Sequence, residues 1–225
     1  EMLRGDAGTS LEVKVRRGDE EKIFRLTRQT IQTPSVSYSG MLPDSVGYIY
    51  LDAFREGAFR EVRDALASLR EQGACRLIID LRGNGGGAVD ECVNIASLFL
   101  PRGQHLMSTK GKVPSTNYDY RTALEPVDTL MPLVLMVDGG SASCSEILAG
   151  GMQDLDRAVL IGERTYGKGL VQSVRDMSFG GQLKMTTCKY YIPSGRCIQA
   201  YDYRHLNADG SAKTLPDSLT HVFHT

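Results

Sequence analysis

The chain is predicted to adopt an α/β fold with a layered, mostly parallel sheet and flanking helices, on three observations. Short unbroken apolar runs recur at VGYIYL (46–51), RLIIDL (76–81), PLVLMVD (132–138) and AVLIG (158–162), as expected of strands buried on both faces. Segments with apolar residues at helical spacing alternate with them. Glycine-rich loops follow three of the runs, and sites in such folds gather at the carboxyl ends of the strands.

In chain order, LEVKVRR (11–17) and KIFRLTR (22–28) alternate apolar and polar residues around Gly18-Asp19-Glu20, which predicts a β-hairpin with one solvated face. Residues 29–45, rich in Thr, Ser and Pro, read as a connecting segment and a boundary. Phe59, Val62, Leu66 and Leu69 share one face of a helix that Gly73 closes. A second helix through AVDECVNIASLFL (88–100) stops at Pro101, and residues 101–130 are polar and irregular. GGSASCSEILAGGMQD (139–154) reads as a loop turning into a helix. LVQSVRDM (170–177) and GQLKMTTCKYYI (181–192), divided at Gly180-Gly181, predict a second hairpin.

Composition removes several function classes. Of 225 residues 41% are hydrophobic and 24% charged, an ordinary globular balance, and the formal net charge of −1 leaves no basic footprint for nucleic acid or anionic lipid. No apolar run reaches the roughly 20 residues needed to span a bilayer. The five cysteines (75, 92, 144, 188, 197) are odd in number, lack CxxC spacing and do not cluster with histidine, so no metal is expected and most should be small core residues. His105, His205, His221 and His224 fall in predicted loops or the tail, which argues against a Ser-His or Cys-His mechanism.

Three loops carry the chemistry. Asp80-Leu81-Arg82-Gly83-Asn84-Gly85-Gly86-Gly87 joins a strand to a helix and can present backbone N–H groups to an anion. It also fits a dinucleotide-binding pattern, but no acidic residue ends a following strand to hold a ribose. Gly139-Gly140-Ser141-Ala142-Ser143-Cys144-Ser145-Glu146 places three serines at a strand-to-helix junction, where one of them serves as an N-cap or as a hydroxyl exposed beside helix N–H groups. Gly162-Glu163-Arg164-Thr165-Tyr166-Gly167-Lys168-Gly169 resembles a phosphate loop, but Gly169 stands where that motif needs a hydroxyl for magnesium. A lysine held between two glycines on a tight turn suits a base once burial favours its neutral amine. One loop thus supplies a hydroxyl and another an amine, the pairing of Ser-Lys acyl transfer.

Ser-Ala-Ser-Cys-Ser-Glu, Gly-Lys-Gly-Leu-Val-Gln and Asp-Leu-Arg-Gly-Asn-Gly-Gly-Gly together resemble the signatures of the carboxy-terminal processing, or tail-specific, proteases. That resemblance implies Ser143 as nucleophile, Lys168 as general base 25 positions on, and Gln172 orienting the lysine. It implies an oxyanion hole from the backbone N–H of Cys144 and of Gly86 or Gly87, with Asp154 as structural support. It also implies a serine endopeptidase cutting near substrate C-termini with no metal or organic cofactor, on a crotonase/Clp-protease-like core spanning 46–200. Residues 1–35 resemble the last part of a PDZ domain, 36–45 a connector, and 201–225 a C-terminal segment in which relatives continue, so the chain reads as trimmed at both ends. The implied partners are proteins or peptides recognised by their C-terminus, in a bacterial cell envelope, with membrane association of the parent protein and a homo-oligomer left open. Cys144 and Gly85 depart from the usual alanine and proline, and Lys189 to Arg196 (KYYIPSGR) fits the family without a chemical role. Two other readings stand beside this one: a non-catalytic peptide-binding or scaffolding domain, and an acyl-thioester enzyme using the glycine loop.

Overall fold

The structure is a computed structural model that describes residues 3–31 and 33–215. The chain divides into two compact units, residues 1–33 and 34–225. In the first, β1 (Ser10–Arg17) and β2 (Glu20–Thr27) form the expected antiparallel hairpin, with Gly18 at φ 62° in its turn.

The second unit is a mixed α/β fold. Its five-stranded sheet contains β3 (Val36–Leu42), β4 (Val46–Leu51), β5 (Arg76–Asp80), β8 (Leu133–Val137) and β9 (Val159–Gly162), in that spatial order. All neighbours from β4 to β9 are parallel, whereas β3 joins β4 antiparallel. Ile49, Leu51, Leu77, Ile79 and Leu135, each on one face of its strand, are fully or almost fully buried, whereas the opposite face is only half-buried at Tyr48, Ile78 and Val134 and exposed at Val159 and Ile161, so the expected burial on both faces is not what the sheet shows. Helix α1 (Ala58–Glu71) lays Val62, Leu66 and Leu69 into the same core, and α2 (Val89–Ser97) adds Cys92, Ile95 and Ala96. Gly57 at the N-cap of α1 has no side chain to offer, so Glu91 of α2 accepts from the Gly57 and Phe59 N–H groups at 2.9 and 2.7 Å.

Two further expectations change. Residues 36–42 are an edge strand, not a connector. Their Ser and Gly content suits a sheet edge, and Glu61 of α1 accepts from the N–H groups of Ser35 and Val36, drawing the segment onto the core. The stretch 101–130 is also not all irregular. It contains β6 (His105–Gly111) and β7 (Tyr118–Arg121), which join β10 (Leu170–Asp176) and β11 (Gln182–Tyr191) in an antiparallel sheet ordered β10-β11-β6-β7. β12 (Tyr201–Leu206) and β13 (Ala212–Thr214) form a separate pair. His105 and His205 therefore lie on strands, where they face Asp119 and Asp202, while His221 and His224 lie outside the described residues.

Helix α3 (Cys144–Asp154) rests on this second sheet through two glycines. A Cβ on Gly150 would meet Ile192 Cδ1 at 2.8 Å, and one on Gly151 would meet Leu106 Cδ1 at 2.6 Å. Close approach at these points sets where the helix N-terminus falls. Among the described residues no helix is long and apolar enough to cross a membrane.

Candidate active site

The loops after β5, β8 and β9 lie side by side because those strands are parallel neighbours. The glycine loop is held by three polar side chains. Asp80, fully buried, accepts from the Arg82 guanidinium at 2.6 Å and from the Tyr48 hydroxyl at 2.6 Å. Burial alone would raise its carboxyl, but the hydrogen bonds from Arg82 and Tyr48 outweigh it and the net direction is down. Asn84, also fully buried, donates to Leu51 O at 2.7 Å and accepts from Gly86 N–H at 2.8 Å. Its own carbonyl receives Ala142 N–H and the Ser145 hydroxyl, which ties this loop to the serine loop. Asp138 Oδ1 closes the base of both loops by accepting from Gly83, Gly140 and Ser141 N–H.

The Asp80 geometry predicts a stability effect. Asp80→Asn should cost about 2 kcal/mol at neutral pH, less than a fully buried pair because Arg82 is half exposed. The carboxylate has a depressed folded-state pKa, so its contribution is present above the unfolded value and lost as pH falls through the folded one. Denaturant midpoints of wild type and variant should therefore converge on acidification; a constant gap would show that Asp80 acts through packing and not through charge.

The three serines separate by burial and partner. Ser141 and Ser145 are fully buried, and their hydroxyls donate to Leu81 O at 2.7 Å and Asn84 O at 2.8 Å. Ser143 is half-buried, at the N-cap of α3, with φ 58° and ψ −115°. A non-glycine residue held there stores about 1–3 kcal/mol of strain, a cost that clusters at functional sites. Gly86 explains how the glycine loop reaches this turn: a Cβ there would stand 2.8 Å from Ser143 Cβ and 2.9 Å from Cys144 N. The Cys144 thiol is fully buried and donates to Gly87 O at 3.2 Å, pulling the same loop onto α3.

The expected oxyanion donors sort themselves. Gly86 N–H is committed to Asn84 Oδ1, whereas among the described residues no acceptor takes the N–H of Gly87 or Cys144.

Lys168 is half-buried between Gly167 at φ 84° and Gly169. Side chains at those two positions would strike Ala200 and Gln199 respectively, so both glycines admit residues 199–200 against the loop. Among the described residues Lys168 has no ion pair, and no hydrogen bond joins its ammonium to Ser143 Oγ or to Gln172. What joins the two residues is main chain: Glu146 Oε2 accepts Ser143 N–H at 2.8 Å and Lys168 N–H at 2.9 Å. Glu146 Oε1 takes the Thr165 hydroxyl at 2.8 Å and Gly167 N–H at 2.6 Å. Burial raises the Glu146 carboxyl, and its four hydrogen bonds only partly oppose this.

Lys168, two residues before β10, and Leu170 and Gln172 at its start line one cleft of about 950 Å³, whose walls include Tyr166, Tyr201 and Tyr203. A register irregularity at Val171/Gln172 lies within that stretch. Asp154 accepts from Arg196 at 2.7 Å and from Ser194 N–H at 2.9 Å, so it fastens the KYYIPSGR turn to the end of α3. The sequence signal for Glu146 was only its place in the first helical turn; Asp80 and Asn84 carried no separate signal.

Comparison with known proteins places this chain among peptidases. The profile of Peptidase family S41 matches residues 45–205. A carboxyl-terminal-processing protease of Synechocystis is 39% identical over 85% of this chain and 45% of its own length. A CtpA-like serine protease of Staphylococcus epidermidis is 34% identical over 90% of this chain and 41% of its own. The chain thus spans less than half of these curated relatives. The solved photosystem II D1 C-terminal processing protease superposes with a TM-score of 0.63 at 31% identity, over 87% of this chain and 54% of that one. An S41 protease from Bacteroides fragilis superposes at 0.66 with 16% identity, over 83% of this chain and 55% of that one, a likeness of fold.

Proposed function

The chain belongs to peptidase family S41, and from that premise we propose that it is the catalytic part of a serine endopeptidase that cleaves protein substrates near their C-termini by Ser-Lys acyl transfer. The observation that carries this reading is the shared acceptor: Ser143 and Lys168 hang their main-chain N–H groups on one oxygen of Glu146. Their backbones therefore lie within two hydrogen-bond lengths of each other, close enough for the lysine side chain to reach the serine hydroxyl.

The neutral Lys168 amine takes the Ser143 proton as Oγ attacks the scissile carbonyl. The N–H groups of Cys144 and Gly87 hold the oxyanion, and the resulting ammonium returns its proton to the leaving amine. Water, deprotonated by the same amine, then releases the acyl group from Ser143. Gln172, which lines the same cleft as Lys168, orients the amine once substrate excludes solvent. Tyr166, Tyr201 and Tyr203 supply apolar wall for a substrate side chain. The hairpin of β1 and β2 is read as the end of a PDZ module for substrate C-termini, and the parent protein as resident in a bacterial envelope; both rest on the family likeness.

A fluorophosphonate probe incubated with the chain is expected to give an adduct that tandem mass spectrometry maps to Ser143 and that Ser143→Ala abolishes. An adduct on Ser141 or Ser145 would reassign the nucleophile, and no adduct would favour a non-catalytic peptide-binding domain. Preference for a free over an amidated substrate C-terminus, measured as kcat/KM, tests the specificity.

A further inference from the structure

Glu146 fixes the N–H of both Ser143 and Lys168, and the opposite ends of the same two residues meet a second buried group. Tyr190, on β11, is 1% exposed, and its hydroxyl lies in hydrogen-bond contact with Lys168 O and at 3.3 Å from Ser143 O. The Ser143 carbonyl also receives Ile147 N–H within α3, but among the described residues Tyr190 is the one donor to the Lys168 carbonyl. The ring is set by its strand: residue 190 pairs with Thr109 of β6, and its N–H donates to Gly169 O at 3.1 Å.

We propose that Tyr190 is a positioning residue that shares its single hydroxyl proton between the main-chain carbonyls of Lys168 and Ser143 and so sets the approach of amine to hydroxyl. This rests on the Ser-Lys reading above. A residue whose N–H and C=O are both pinned has a fixed Cα–Cβ direction, and only its side-chain torsions remain. Lys168 is flanked by two glycines, which offer little intrinsic resistance to rotation of the adjoining peptides. Glu146 and Tyr190 replace that missing stiffness, one at each end of the residue. The phenol stays protonated because burial holds it well above its ordinary value, helped by the neighbouring Glu146 carboxylate.

The test uses Ser143→Cys as a reporter, with the pH profile of iodoacetamide alkylation at position 143 read by tandem mass spectrometry. The ionisable neighbours are Lys168, Glu146, Tyr190 and the buried Cys144 thiol. A lysine poised on position 143 lowers the thiol pKa below its usual ~8.5, and Lys168→Met in this background should restore it; no change there would refute the dyad itself. With that control met, Tyr190→Phe should move the thiol at least half a unit back toward its ordinary value. It should also lower kcat of the Ser143 enzyme about 10- to 100-fold with KM little changed. Para-aminophenylalanine at 190, which restores a donor, should recover most of both effects. An unshifted thiol in Tyr190→Phe, or a shift that the amino analogue fails to reverse, would overturn the assignment and leave Tyr190 as core packing.

Discussion

Ser143→Ala, Lys168→Met and the double variant are expected to share one residual peptidase rate, on the order of 10⁴- to 10⁶-fold below wild type. A nucleophile and its base act as a unit, so removing the second partner after the first costs nothing further. Independent roles would instead multiply the losses. The residual rate is expected to come from the proposed oxyanion donors, the N–H groups of Gly87 and Cys144, which these substitutions leave in place. Single-turnover acylation over a range of pH separates the cases: a Lys168→Met enzyme within tenfold of wild type would mean that another group takes the serine proton. Folding is not at issue, because both variants keep the main-chain bonds to Glu146. Ser143→Gly adds a thermodynamic check. Glycine relieves the strain at φ 58° and should raise stability by about 1 kcal/mol while abolishing activity. For a unit of this size that is a rise in Tm of about 2–4 °C. An unchanged Tm would show that the turn is not strained, and with it that no stability is given up to present the hydroxyl.

The parallel strands were legible because one face is buried and the other is still apolar, which leaves unbroken runs such as Leu77–Ile79 and Leu133–Val137. β3, β6 and β7 were not, since edge and antiparallel strands carry polar residues such as Ser37, Ser39 and Thr109 whose partners are remote in sequence. The three glycine and serine loops were visible as composition. Which serine stands apart was not legible from the residues: Ser141 and Ser145 are occupied by carbonyls about 60 positions away, at Leu81 and Asn84, and only the family likeness singled out Ser143. Glu146 looked like a helix-dipole acid because its first-turn position is a local feature. Its larger role arises from Thr165, Gly167 and Lys168 in another loop. Tyr190 sat in a recognisable motif with no chemistry attached, because its partners are backbone atoms and any sequence supplies those.

Glu146→Gln is expected to lower the acylation rate about 100- to 1,000-fold while leaving the protein folded. Four donors converge on the carboxylate, two on each oxygen. An amide has one acceptor oxygen, so either the Ser143 and Lys168 pair or the Thr165 and Gly167 pair must face an NH₂ group. Each buried N–H left unpaired costs about 1–3 kcal/mol, partly offset by no longer burying a charge. The consequence for catalysis is larger than that for stability, since the lost acceptor is what holds two main chains in register. pH separates the two effects. The folded-state carboxyl is raised by burial, so its contribution to stability falls as pH rises through the folded value and grows on acidification. The stability advantage of wild type over Glu146→Gln should therefore widen toward acid. Activity should move oppositely, because protonation of Glu146 removes acceptor capacity just as the amide does. Wild-type acylation should fall more steeply toward acid than that of the variant, over a range where chemical denaturation reports no loss of wild-type stability from this group. If wild type and Glu146→Gln show the same acid dependence, a different group governs it and the shared-acceptor account of the dyad fails.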